Sequence, residues 1–199
     1  MTSLLNSDSG DIERIAFLIG EAKKSGINIL PPDINKSFVN FVPEGRHIRF
    51  GLLAIKNVGV NIVNALIEER NRGGPFSDFT DFLTRVYHKD LNKKSLESLI
   101  KGGVFDSLNT DRVHLLANIE EVLSFSQSVK KEKSGDPNRS LQGNLFGADP
   151  RIPAFLKTKP DQGVNPAHDK NSTREKLMWE KELLGLYLSG NPLDQYAEK

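Results

Sequence analysis

The sequence predicts a mostly α-helical fold carrying one small β-hairpin. Three observations predict it. Apolar residues recur at helical spacing through most of the chain, and one short stretch, residues 38–50, sets two runs rich in β-branched and aromatic residues on either side of a Pro-Glu-Gly turn. A pattern of two apolar residues leading into a glycine turn also occurs twice. Apolar residues make up 37% of the 199 and charged residues 27%, a globular balance. No apolar run reaches membrane-spanning length, and Met1 to Ser9 lacks the basic and apolar regions of a secretory leader. Cysteine is absent, which excludes disulfides, thiol catalysis and cysteine zinc sites and suits a cytoplasmic setting. With a net charge of +1, attraction to nucleic acid has to come from local groups.

The first helix is expected from about Asp11 to Lys24, with Ile12, Ile15, Ile19 and Ala22 on one face and Gly26 as its stop. "INILPPDIN" reads as a short strand closed by Pro31-Pro32, and "FVNFV–PEG–RHIRF" as the hairpin. From Leu52 to about Lys133 the pattern is helical. Residues after about 133 are rich in Pro, Gly, Asn and Lys and read as a disordered linker around one apolar island, "LFG". Ser172 and Glu175 suggest a capping box for a last helix reaching Leu188, with Leu177, Glu180, Leu184 and Leu188 on one face and Gly190 and Pro192 as its stop. Four segments follow: 1–50, 51–133, 134–172 and 173–199.

The repeat carries the chemistry. "LLAIKNVGVNIVNALIEER" and "LESLIKGGVFDSL" align at an offset of 44, matching Leu52 to Leu96, Ile55 to Leu99, Gly59 to Gly103 and Val60 to Val104. The helix after the second turn is expected near Asp111, running through Val113, Leu116, Ile119 and Leu123. The pattern resembles a tandem helix-hairpin-helix motif. A tight turn of that kind needs a left-handed residue and leaves backbone N–H groups at the next helix start, a site for a DNA phosphate that reads no bases. Its candidates are Lys56, Asn57, Val58 and Gly59 in turn one and Lys101, Gly102 and Gly103 in turn two, with Lys93 and Lys94 nearby. Turn one has Asn57 where the motif's first glycine usually stands, and Asn tolerates left-handed geometry. The same pattern also describes a plain αα-hairpin.

"GINILPPDINKS", "IRFGLLAIKNVG", "GGPFSDFTDFLTRV", "LNKKSLESLIKGGVFDSL", "NLFG" and "EKELLGLYLSGNPLDQY", in that order, resemble the bacterial DNA polymerase III alpha subunit family. The resemblance implies that residues to about 50 close the fingers, with Ile12–Gly26 as their last helix. Residues 51–133 would hold the primer–template duplex, and the end would approach an oligonucleotide-binding (OB) domain. Met1–Leu5 resembles an internal segment of that family. Gln142, Leu145 and Phe146 fit a short clamp-binding pattern, in which the apolar pair enters a pocket on the sliding clamp; the alternative is an apolar pair docking back on this chain. The implied partners are duplex DNA, the sliding clamp, and the rest of the polymerase and replisome. The implied parent reaction is nucleotidyl transfer with two Mg2+ ions, held by palm aspartates that this sequence does not contain, so the chain is expected to be non-catalytic with no cofactor of its own. His47, His88, His114 and His168 are too scattered for a zinc pair or a general base. Arg70 and Arg72 read as phosphate or solvent contacts. A helix-hairpin-helix repair protein and a pure interaction module are the rival readings.

Overall fold

The computed structural model describes residues 1–8, 12–86, 88–133, 153, 156, 166–188 and 190. Among them the fold is mostly helical with one three-stranded sheet. Most of the expected linker and the Gln142–Phe146 pattern lie outside the described residues, while residues 166–172, expected within that linker, belong to a helix.

Helix α1 (Thr2–Ser7) buries Leu5. It is tied down by Asn6, whose side-chain amide donates to the Phe41 carbonyl at 3.0 Å and accepts the Phe41 N–H at 2.8 Å. Helix α2 (Ile12–Lys24) buries Ile15, Ile19 and Ala22. Strand β1 (Ile29–Leu30) follows, then the hairpin of β2 (Val42–Glu44) and β3 (His47–Arg49). The order is β1-β3-β2, with β1 parallel to β3, so the segment expected as a separate strand joins the hairpin's sheet. Pro43, which has no N–H to offer a second neighbour, sits on edge strand β2. Arg49 closes the sheet with bonds to Glu44 at 2.7 and 2.8 Å and to the Pro31 carbonyl at 2.9 Å.

A 3-10 turn at Leu52–Ala54 leads into α3 (Val60–Gly73), and α4 (Phe79–Arg85) and α5 (Lys93–Lys101) follow. A second 3-10 turn at Asp106–Leu108 precedes α6 (Arg112–Ala117) and α7 (Ile119–Lys133). The single helix expected after Asp111 is thus two. It breaks at Asn118, whose side chain bonds back to the His114 carbonyl at 2.8 Å. The break rotates the apolar face, so that Leu115, Ile119, Val122 and Phe125 are buried while Val113, Leu116 and Leu123 are only partly so. Phe76, Phe79, Phe82 and Phe105 form the centre of the helical core, with ring centroids 4.7 to 5.8 Å apart.

The last helix, α8 (Pro166–Leu184), begins earlier than expected, with Ser172 inside it and proline at its first position. It ends at Leu184, where Gly185 turns left-handed (φ 78°), and not near Gly190. Leu177, Glu180 and Leu184 are buried as one face. That face packs on α5, and one contiguous core runs from Leu5 to Leu186.

Candidate nucleic-acid interface

In turn one the chain leaves the 3-10 turn through Ile55 and passes Lys56-Asn57-Val58-Gly59. Leu52, Ile55 and Val58 are buried and anchor it from below. Asn57 adopts the left-handed conformation (φ 66°), as the sequence suggested. Its side-chain amide donates to the Ser98 hydroxyl of α5 at 3.3 Å. Gly59 precedes α3 in extended geometry (φ −84°, ψ 156°), and a Cβ built on it would meet nothing within 4 Å. Lys56, Asn57, Gly59, Val60 and Asn61 are exposed.

The opening of α3 differs from those of the three helices that follow it. Helices α4, α5 and α6 are capped by Asp78, Asn92 and Asp111, whose side chains accept a backbone N–H of the first turn. Helix α3 has no side-chain cap and no acidic residue in its first turn. Its leading N–H groups therefore point outward with the positive end of the helix dipole behind them, an arrangement suited to an anion.

Asn61 and Lys89 belong to the same surface and escaped the sequence reading. The Asn61 amide donates to Asp90 at 3.1 Å, which brings the loop before α5, with exposed Lys89, beside the start of α3. That bond joins residues 29 positions apart in the sequence. Asp90 is a charge of the opposite sign to what a phosphate needs, and His88 lies 3.7 Å from it.

Turn two differs, although its sequence aligns. Gly102 caps α5, and Gly103 takes the left-handed conformation (φ 79°). Gly103 N–H donates to Ile100 at 3.0 Å and Val104 N–H to Leu99 at 3.1 Å, the paired bonds of a Schellman cap. Gly102 N–H donates to Ser98 at 2.9 Å. The turn's donors are thus spent on the helix it ends. The Arg112 side chain lies against Gly103, where a Cβ would overlap its guanidinium. The expectation that Gly102 and Gly103 present free N–H groups is therefore corrected: both are buried, and Val104 is fully buried where its counterpart Val60 is 46% exposed.

Arg112 is itself 3% exposed. It bonds Asp106 at 2.9 Å, the Lys101 carbonyl at 3.0 Å and Glu180 of α8 at 3.3 Å. Burial alone would lower its pKa, but the bonds to Asp106 and the charge of Glu180 outweigh it and hold the guanidinium more firmly protonated. Of the basic candidates, Lys56 and Lys94 are exposed, Lys101 is half-buried and Lys93 is paired with Glu120. Arg70 is buried, donating to the carbonyls of Ile34 and Ser37 at 2.9 and 2.8 Å, and Arg72 pairs with Glu69 on the surface. Arg70 is accordingly a structural strut, not a phosphate contact.

Among the described residues no three carboxylate or imidazole side chains come together as a metal site. Among the same residues no helix is long and apolar enough to cross a membrane.

A family model described as a helix-hairpin-helix motif matches residues 26–115, which include both turns. The chain is also similar to proteins described as DNA polymerase III subunit alpha. That of Mycobacterium tuberculosis is 39% identical over 197 residues, covering 99% of this chain and 16% of the relative. That of Borreliella burgdorferi is 39% identical, covering 100% and 16%, and that of Thermus aquaticus 37% identical, covering 98% and 15%. The chain thus spans about 16% of the length of the relatives it matches.

Proposed function

The chain belongs to the bacterial DNA polymerase III alpha subunit family, and on that footing we propose that it grips duplex DNA by its phosphates through turn one. The observation that carries this reading is the uncapped, exposed start of α3 behind left-handed Asn57. A phosphate oxygen there would accept from the leading N–H groups of α3. Lys56 and Lys89, with Lys94 at the start of α5, would supply the surrounding positive charge. Val58 serves from below by fixing the turn. Helix α5 supports turn one through the Asn57–Ser98 bond, and turn two at its end does not itself take a phosphate.

Because such contacts touch no base edge, binding should ignore sequence and weaken steeply with salt. Fluorescence anisotropy with two unrelated duplexes over a salt series tests this. Equal affinity for both, falling with salt, is expected. Sequence selectivity, or indifference to salt, overturns it.

The second part of the proposal is tethering to a sliding clamp through Gln142, Leu145 and Phe146. Two large apolar side chains in a polar, glycine-bearing stretch gain most by entering a partner's pocket, each burial contributing about 1.5–3 kcal/mol. Ordering the peptide offsets part of that, which puts a single contact at roughly micromolar affinity. Leu145→Ala with Phe146→Ala should abolish binding to a cognate clamp in calorimetry and leave duplex binding unchanged. Equal clamp affinity for both forms returns the pair to an intramolecular role. In the parent polymerase the two contacts together would hold the enzyme at the primer terminus while residues outside this sequence perform nucleotidyl transfer.

A further inference from the structure

We propose that α8 is a brace that sets the order of turn one and, through it, the affinity for duplex DNA; this rests on the phosphate reading above. The final carbonyls of any helix lack partners within it. In α8 the Leu183 carbonyl accepts the N–H of Lys56 at 3.1 Å, the amide directly before left-handed Asn57. A helix end and a DNA-facing turn therefore satisfy each other.

The remaining contacts hold α8 where this bond can form. Glu180, 1% exposed, accepts from Arg112 at 3.3 Å and from the Leu188 N–H at 2.8 Å. Arg112 is seated against Gly103 and held there by Asp106. Leu177, Leu183, Leu184 and Leu186 are buried alongside. Turn two, which spends its own donors on α5, has become the seat of this latch. With α8 in place, the Lys56 backbone is fixed by Leu183 and the Asn57 side chain by Ser98. With α8 released, the Lys56 amide returns to water and the turn samples other conformations. Apparent affinity then falls by the fraction of chains that hold the binding geometry.

The test uses the full chain. Trp179, the only tryptophan, lies half-buried on α8 and reports docking by its emission. Glu180→Ala should red-shift that emission, speed hydrogen exchange of the Lys56 and Val58 amides, and weaken duplex affinity about tenfold. Exchange at Phe82 and Leu96 should stay slow, showing that the core is folded. Glu180→Gln, whose one carbonyl oxygen can keep the Arg112 bonds or the Leu188 bond but not both, should fall between the wild type and Glu180→Ala in all three. Where Glu180→Ala leaves α8 docked, Leu177→Asp with Leu184→Asp forces it off and is read in the same way. Undocking with unchanged duplex affinity, or with unchanged exchange at Lys56 and Val58, overturns the brace. A wild-type chain that binds no duplex at low salt would defeat the phosphate reading, and the exchange measurement would still decide the brace.

Discussion

The two aligned glycines separate under substitution. Gly59 has a negative φ and open space around it, so Gly59→Val should leave the thermal midpoint nearly unchanged. Its branched side chain would project where a phosphate must approach, so duplex affinity should fall at least tenfold, by rough estimate. Gly103→Val meets the opposite situation: a φ of 79° and the Arg112 guanidinium in its way. Strain and displacement together should cost about 3 kcal/mol, read from urea unfolding. At Asn57 the left-handed backbone makes Asn57→Gly close to neutral, whereas Asn57→Val should lose roughly 1–2 kcal/mol. Asn57 and its geometry were legible in the sequence because left-handed tolerance is a local property. The burial of Gly103 was not, because the arginine covering it comes from another helix and is held there by a residue 68 positions further on.

Between elements, polar side chains satisfying backbone groups do much of the joining. Arg70 of α3 reaches the carbonyls of Ile34 and Ser37 and lies over the Phe38 ring, 5.1 Å from its centroid. Burial lowers its pKa against the opposing charge of Asp33, and among the described residues it forms no close ion pair with a carboxylate, so its value lies chiefly in the carbonyls it satisfies. Arg70→Ala should therefore destabilise by about 2–4 kcal/mol in chemical denaturation without a change in salt sensitivity. In the sheet, the hydrogen bond from Arg49, aided by its charge, holds the Glu44 carboxyl below the usual glutamate range. A depressed folded-state pKa stabilises above the unfolded value and is lost as pH falls through the folded one. The thermal midpoint should thus drop more steeply on acidification in the wild type than in Glu44→Gln, with equal slopes counting against the assignment. Solvent and salt screen this partly exposed pair, so the difference should be small. The hairpin, α2 and the turns were readable from period and punctuation. The break at Asn118 and the early start of α8 were not, since helix ends are settled by caps and packing that periodicity does not encode.

For the molecule as a whole, the chain should not extend a primer at any magnesium concentration. Nucleotide incorporation that survives removal of contaminating polymerases would overturn the family-based division of labour. Composition, period and the "LLAIKNVG" and "LIKGGVFDSL" patterns by themselves determined a mostly helical chain, its small sheet, its repeat and its family, because these depend on residue type and spacing along one strand of chain. Which copy of the repeat faces solvent was decided only by tertiary structure. Both turns contain a glycine in the same register, yet one opens an uncapped helix and the other closes a capped one beneath Arg112 and α8. The difference lies in where distant side chains land, and the network in which buried Arg112 meets exposed Asp106 and buried Glu180 exists only once three separate segments have been brought together.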